Sequence, residues 1–386
     1  MSSAEDPVWK LLFGPNPDLD DVNRWRSQKF VFSSEFPFVL EQTQGGPCGV
    51  LAPVQGFLIA SLMRECLDMD ALKRIDCVRV KACLKSVLEQ ILERASVHRS
   101  PEHRPFHAVS LEEGRFVPCD HSLESLSVLD FLSSLVVTRG VANVLLDMDD
   151  PTTPLIGRFG HCSQEVLNLV LFGKATSNVF DGSLQLDEYS SLQGVPETAD
   201  VRVGLLSELE ALRYVRVGEI LKNPTEPIWV LGSPSHYTLL FGFAKIQNSV
   251  VNLAKQAFSK FALDEGLALS SALEPMLTEL EIPPSLDTCG IVSEGVVLLH
   301  DFLGWVRMHR PNLAPEDHQQ VETHDLVFVD GQAPVRVFRV QLGPTPLESE
   351  EQATADLLRP VMRTKWPSAY VTVNSQLPAS GQLRLL

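Results

Sequence analysis

No run of about 18 uninterrupted apolar residues occurs in this sequence, so it offers no segment long enough to cross a bilayer as a helix. The opening residues, Met1 to Gly14, lack a basic region leading into an apolar stretch, and neither secretion nor membrane insertion is expected. Cysteine is sparse: the 7 cysteines are an odd number with no repeated spacing, which argues against a disulfide framework and for reduced thiols in the cytoplasm or nucleus. Basic residues are outnumbered, 32 Lys and Arg against 49 Asp and Glu, for a formal net charge of −17. Such a surface repels phosphate backbones and anionic membranes, so neither nucleic acid nor a membrane is an expected partner. Internal repeats and long low-complexity runs are missing as well, and the organisation has to be read from hydrophobic period and from breakers.

What is present is ordinary globular composition. Hydrophobic residues make up 44% and charged residues 21%, far from the signature of a disordered chain. At 386 residues the chain exceeds what one core usually fills, so it is expected to form one large domain with insertions or two domains. Val50 to Leu67 is apolar on almost every face, as in a helix at the centre of a fold, with Pro53 tightening or kinking its first turns. Further helices are expected over Met69 to Arg94, Leu123 to Thr138 and Gln164 to Gly173, with a loop or exposed hairpin between His98 and Gly114. The period then changes. Pro227 to Leu231 and His236 to Phe241 are rich in strand formers and flank the turn Gly232-Ser233-Pro234-Ser235, which makes a hairpin. From about Ala244 to Arg310 the pattern is helical again, and strand-like pieces at Leu326 to Val329, Val335 to Val340 and Ala369 to Val373 lie around an acidic linker, Glu348 to Glu351. The class is therefore α+β.

The chemistry concentrates in Gln42-Thr43-Gln44-Gly45-Gly46-Pro47-Cys48-Gly49. Two glycines, a proline and a cysteine before a long apolar helix place a thiol at a helix start, where unpaired N–H groups and the positive dipole end favour a thiolate. Gly45 and Gly46 leave room for a substrate backbone, and Pro47 presets the first helical φ. A buried cysteine behind an ordinary Gly-Pro turn is the plainer alternative. Against it stands Gln42, six residues before the thiol on the loop entering the helix, whose side-chain amide can point an N–H at the oxyanion of a tetrahedral intermediate.

A nucleophilic cysteine needs a base. Of the 10 histidines, His236 sits at a strand edge beside a turn, where a rigid sheet can aim an imidazole at a helix terminus, although a hydrogen-bonded turn histidine looks the same in sequence. His98, His103, His107, Cys119 and His121 cluster without CxxC spacing, and no metal is expected there.

Gln42 to Cys48 with Ala52-Pro53-Val54-Gln55 resembles the catalytic motif of the MINDY deubiquitinases, in the branch with an EF-hand-like insertion. The likeness continues in order through Gly160-His161-Cys162-Ser163-Gln164, Ser177 to Gly182, Glu208 with Ala211-Leu212-Arg213-Tyr214, Pro227-Ile228-Trp229, Gly232-Ser233 with His236, and Thr364-Lys365-Trp366-Pro367. The resemblance implies a papain-related fold whose central helix bears the nucleophile and packs on a sheet. It further implies hydrolysis of polyubiquitin with a preference for the lysine-forty-eight linkage. In that reading Cys48 is the nucleophile, His236 the base and Gln42 the oxyanion donor, with ubiquitin, polyubiquitin and ubiquitinated proteins as partners. The corresponding layout is a catalytic region over residues 1–243, a helical insertion over 244–315 and strands over 316–386 that complete the catalytic domain. Around Asp264-Glu265-Gly266 the alternating carboxylates of a calcium loop are missing, so no calcium and no other cofactor is expected.

Some matched positions have plainer readings. Trp229 and Phe180 read as packing residues, and Asn178 and Asp181 either form turns or hold substrate main chain. A third group orienting His236 is not assignable from sequence. Two alternatives to the isopeptidase are another acyl-transfer enzyme on the same cysteine–histidine scaffold and an autoinhibited or inactive ubiquitin-binding scaffold.

Overall fold

Every residue of the helix Cys48–Leu62 except Ser61 is buried, as its all-round apolar sequence requires. The computed structural model describes residues 6–96, 106–112, 115–119, 122–187, 190–243, 254, 257–258, 260–264, 266–280, 282–283, 290–293, 295–309, 323–367 and 369–377. The architecture is mixed α+β, and the chain divides into two units. The larger takes Met1–Ala244, His324–Leu342 and Pro346–Leu386; the smaller takes Lys245–Thr323 and Gly343–Thr345.

The larger unit is built on a six-stranded sheet. Its strands are β1 (Gly204–Ser207), β2 (Ile228–Gly232), β3 (Tyr237–Gly242), β4 (His324–Asp330), β5 (Arg336–Gly343) and β6 (Tyr370–Gln376), lying side by side in that order. The β1–β2 pair is parallel, whereas β2–β3, β3–β4 and β4–β5 are antiparallel. Alternation along the strands separates two faces. Ile228, Val230, Leu239, Phe241, Val327, Val329 and Val337 join the core that holds the helix Cys48–Leu62. Gly56 of that helix lies so close to the sheet that a Cβ there would sit 2.8 Å from Val203 and 3.2 Å from Leu239. On the other strand set, Trp229 meets Trp366 edge to face at 5.3 Å, and the Lys365 ammonium lies 5.4 Å from each indole ring. Lys365 also donates to Asn223 Oδ1, and burial lowers its pKa to about 8. The Thr-Lys-Trp-Pro string is thus explained by packing around a caged cation.

Several boundaries differ from expectation. The helix read over Met69 to Arg94 is two helices, Met69–Lys73 and Cys77–Ala95, the chain turning extended at Asp76 just before the second. The acidic stretch Glu348 to Glu351 leads directly into a helix, Gln352–Arg363. Between His98 and Gly114 the strand Val109–Glu112 pairs with Arg115–Pro118, while residues 97–105 lie outside the described residues. In the smaller unit, the helices Leu273–Glu279 and Leu299–His309 are accompanied by four short strands, Ala262–Asp264, Leu267–Leu269, Val292–Ser293 and Val296–Leu298. Strands of two or three residues are too short to display a two-residue period, which is why the stretch reads as helical. Phe258, Phe302, Trp305 and Met276 anchor a separate core there.

Candidate active site

Cys48 is the first residue of its helix, 4% exposed, with its thiol 3.8 Å from the Gly46 carbonyl oxygen. The loop before it is fixed by backbone geometry. Gly46 has φ +129, a conformation that side chains rarely adopt, and a Cβ there would meet Gly160 O at 3.0 Å and Trp25 Nε1 at 3.2 Å. The space beside Gly46 is therefore filled by the protein's own chain rather than kept for substrate, whereas the position beside Gly45 is open. Trp25 Nε1 in turn donates to Gly160 O at 2.8 Å, so the Gly-His-Cys-Ser-Gln segment forms one wall of the loop before Cys48. Gly49 is explained by the same wall, since a Cβ on it would lie 2.7 Å from Cys162 Cβ.

His236 stands in the turn between β2 and β3. That turn is locked locally: the His236 N–H donates to Ser233 Oγ at 3.1 Å, and the Ser233 N–H and hydroxyl donate back to His236 O at 2.9 and 3.0 Å. The imidazole Nε2 bonds Asp330 Oδ1 at 2.9 Å, at the very end of β4. A carboxylate only accepts, so Nε2 carries the proton in that bond and Nδ1 is left to face the thiol. Asp330 is held by three donors, namely His236, Arg336 Nη2 and the Gln332 N–H at 3.1 Å. Burial works to raise the Asp330 pKa, and these donors outweigh it and hold the carboxyl below its usual range. For His236, burial works to lower the pKa. The hydrogen bond to Asp330 and the adjacent Cys48 sulfur overcome it, and the value rises to about 9.

Gln42 is 3% exposed and clamped at its backbone, its N–H donating to Gly331 O at 2.8 Å and its carbonyl accepting from Ala333 N at 2.9 Å. The segment after β4 therefore fixes both Asp330 and Gln42. The Gln42 amide donates to Gln44 O at 2.6 Å, which occupies one of its two amide hydrogens. Gln55, on the helix Cys48–Leu62, ties this assembly together by accepting from Leu40 N at 2.6 Å and donating to Phe38 O at 2.7 Å. Cys48, His236, Gln42, Gln55, Gly331 and Gln332 line one cleft. The three residues singled out from sequence thus converge, and Asp330 joins them.

A family model described as the conserved domain of the deubiquitinating enzymes MINDY-3/4 matches residues 9–122 and 116–262, the segments that carry Gln42, Cys48, Cys162 and His236. This chain belongs to the MINDY-3/4 family. Among similar curated proteins, the ubiquitin carboxyl-terminal hydrolase MINDY-3 of Homo sapiens is 30% identical over 445 aligned positions, covering 95% of this chain and 97% of the relative. The Xenopus tropicalis protein of that name is 29% identical over 455 positions, covering 98% of this chain and 100% of the relative. The probable ubiquitin carboxyl-terminal hydrolase MINDY-4 of Xenopus tropicalis is 34% identical over 275 positions, covering 61% of this chain and 36% of the relative. No solved structure matches the chain.

In this member of the MINDY-3/4 family the remaining motif residues are absorbed by the scaffold. Asn178 donates to Asp149 Oδ2 at 2.7 Å and to Gln193 O at 3.0 Å. Asp181 accepts from the Glu219 N–H at 2.6 Å and the Ile220 N–H at 3.2 Å, at the start of the helix Glu219–Lys222. Asp181 thus caps a helix start, and Asn178 bridges two sequence-distant segments. Trp229 is buried, with its Nε1 donating to Lys222 O at 2.8 Å, and Phe180 is half-buried. Among the described residues no three His, Cys, Asp or Glu side chains converge as metal ligands; His98, His103 and His121 of the candidate cluster lie outside those residues. Sequence reasoning did not find Asp330, Gln55 or Cys162 as site residues. The only sequence signal for Asp330 is a carboxylate closing the apolar run Leu326 to Val329 just before Gly331.

The histidine gives a pH dependence with a definite sign. A folded pKa of about 9, above the ordinary 6.5, means the folded state holds the proton more tightly. The stability this contributes is complete below about pH 6.5 and is lost as pH rises through about 9. Thermal melts of the wild type and His236→Ala across that window are expected to converge as pH rises. Parallel curves from pH 6 to 10 would remove the linkage.

Proposed function

We propose that this chain is a thiol isopeptidase that hydrolyses the bond between ubiquitin's carboxy terminus and a lysine amine in polyubiquitin, with lysine-forty-eight-linked chains preferred. The observation that carries the reading is that Cys48 at a helix start, His236 and Gln42 line one cleft, with Asp330 bonded to the far nitrogen of His236. Membership in a family of deubiquitinating enzymes supplies the substrate class. The catalytic fold reads as papain-related, a nucleophile helix set against a sheet that carries the base, with the smaller unit as its insertion.

In this mechanism His236 Nδ1 has already taken the Cys48 proton when substrate arrives, and the thiolate of that pair attacks the isopeptide carbonyl. The oxyanion takes hydrogen bonds from the Cys48 N–H, which opens the helix, and from the second amide hydrogen of Gln42. His236 then protonates the departing lysine amine, a task suited to an imidazolium that keeps its proton to about pH 9. The thioester left on Cys48 is hydrolysed by a water that His236 deprotonates. Asp330 keeps the imidazole aimed throughout.

The test is covalent capture. A ubiquitin bearing a carboxy-terminal electrophile is expected to label Cys48, located by peptide mapping, and a panel of defined chains is expected to be cut fastest at the lysine-forty-eight linkage. Labelling at another cysteine, or none, would end the assignment of the nucleophile. The linkage preference falls separately if the panel shows no bias.

Gln42 has its own expectation. Losing one oxyanion donor slows chemistry by roughly a hundred- to a thousandfold, so Gln42→Ala should lose that much in single-turnover rate while ubiquitin affinity holds. Gln42→Glu places a carboxylate where the oxyanion forms and should be no faster. A Gln42→Glu enzyme turning over within a few fold of wild type would take Gln42 out of the machinery. A loss of thermal stability and affinity together would mark it as a loop brace.

A second reading, a closed resting site that substrate opens, is favoured by the near-complete burial of Cys48 and by the capture of the Gln42 amide by Gln44. It predicts that a small alkylating reagent reacts slowly with Cys48 until ubiquitin is added.

A further inference from the structure

A second thiol lies against the nucleophile. The Gly46 carbonyl oxygen that receives the Cys48 thiol at 3.8 Å receives the Cys162 thiol at 3.6 Å, so both sulfurs converge on one backbone atom. The Cys162 side chain also crowds the start of the helix: a Cβ on Gly49, the neighbour of Cys48, would meet Cys162 Cβ at 2.7 Å and its sulfur at 2.8 Å. Glycine is required there because Cys162 occupies the space. The mechanism proposed above gives Cys162 no task.

We propose that Cys48 and Cys162 form a site of reversible oxidation, at which a hydroperoxide converts the pair to a disulfide that shuts off the enzyme and protects its nucleophile. This rests on the reading of Cys48 as the nucleophile. In the first step the Cys48 thiolate attacks one oxygen of hydrogen peroxide and the O–O bond breaks. Sulfur loses two electrons and becomes a sulfenic acid, and the departing hydroxide takes the His236 proton to leave as water. In the second step the Cys162 sulfur attacks the Cys48 sulfur and the S–O bond breaks. The Cys162 proton leaves with the hydroxide as a second water, and the Cys48–Cys162 disulfide remains. Two thiols and one peroxide thus give one disulfide and two waters, and a dithiol reductant reverses the change.

The surroundings give the two sulfurs different parts. Burial, followed by the charge on Cys48, pushes the Cys162 thiol well above its usual range, and the N–H groups of Gly49 and Val50 act against that shift. In the reduced protein Cys162 is therefore held as an inert thiol, and peroxide meets Cys48 first. Oxidation of Cys48 to a neutral sulfenic acid removes the opposing charge, while the Gly49 and Val50 N–H groups stay in place. Cys162 becomes a better nucleophile at the moment it is needed. Its capture of the sulfenic acid blocks the further, irreversible step to the sulfinic acid.

The experiment uses the whole chain. Wild type, Cys162→Ser and Cys162→Ala are treated with hydrogen peroxide, quenched with catalase, divided, and incubated with or without dithiothreitol. Ubiquitin-chain cleavage is measured beside mass mapping of non-reduced digests. Wild type is expected to lose cleavage, to show a crosslinked Cys48–Cys162 peptide, and to regain nearly all its rate on reduction. Both variants are expected to lose cleavage without recovery, with Cys48 carrying two added oxygens. The idea is overturned if wild-type digests lack the crosslink, or if wild type and variants recover alike. Because the crosslink is read by mass in the wild type, the outcome does not depend on the folding of a variant. It is also separate from the nucleophile assignment: cleavage that survives in Cys48→Ala would sink that assignment whether or not the crosslink forms.

Discussion

Cys48→Ala is expected to abolish cleavage of ubiquitin chains while leaving the folded protein and its ubiquitin binding in place. Removing the nucleophile of a comparable covalent triad costs on the order of a millionfold in kcat, because the acyl intermediate that divides the reaction can no longer form. The structural cost is small. Cys48 is the first residue of its helix, alanine is the better helix former, and the thiol interactions lost are the 3.8 Å contact to Gly46 O and the one with His236. The substitution also removes one of the influences that hold the His236 proton, so the imidazole should titrate below about 9 in the variant. Rate assays with a defined chain, a thermal melt and an NMR titration of His236 read the three effects separately. Retained cleavage sinks the mechanism. Lost cleavage with a collapsed melting transition would instead assign Cys48 to the core.

The parts of this arrangement that were legible in the sequence are those whose signal is local. Gln42, Cys48 and the helix behind them sit within a short stretch in which glycines, proline and a mostly apolar run announce a loop entering a buried helix. The β2–β3 hairpin was legible because the turn chemistry of Gly232 to Ser235 separates two runs of strand formers, and it placed His236 at a strand edge. Asp330 was illegible because its role is created by sheet order. The strand β4 pairs with β3 across an intervening stretch from Ala244 to Thr323, and only that pairing brings the carboxylate to the imidazole. Cys162 was hidden for the same reason, since its approach to Cys48 runs through Gly46 and Trp25, which are distant in sequence. The strand β1 escaped notice because four residues, Gly204–Ser207, are too few to show a period, although its parallel pairing with β2 closes that side of the sheet. Gly46 was assigned to substrate on composition alone, and its positive φ and contact with Gly160 show that the loop needs it first.

Substitution of Asp330 carries the second large effect. Its carboxylate is 5% exposed in the side chain and accepts from His236 Nε2, Arg336 and the Gln332 N–H. Asp330→Ala frees the imidazole to rotate and removes an influence that holds its proton, so kcat on an isopeptide-linked chain should fall by roughly a hundredfold or more, the usual worth of a positioned acid–base group. KM should move little, because Asp330 is placed to act on His236 rather than on ubiquitin. Asp330→Asn separates aim from charge. Its side-chain oxygen still accepts from Nε2–H, so part of kcat should return, yet the neutral amide cannot hold the proton to about 9, and the alkaline limb of the rate profile should shift to lower pH. A merely structural role would give the opposite pattern, in which both variants lose thermal stability and total activity together while the limb stays where wild type has it. The deciding measurement is the pH dependence of single-turnover cleavage for the three proteins at matched folded concentration. An Asp330→Asn profile that overlays wild type on the alkaline side would remove Asp330 from the proton transfers. A shift without loss of rate would remove it from the aiming of the imidazole alone.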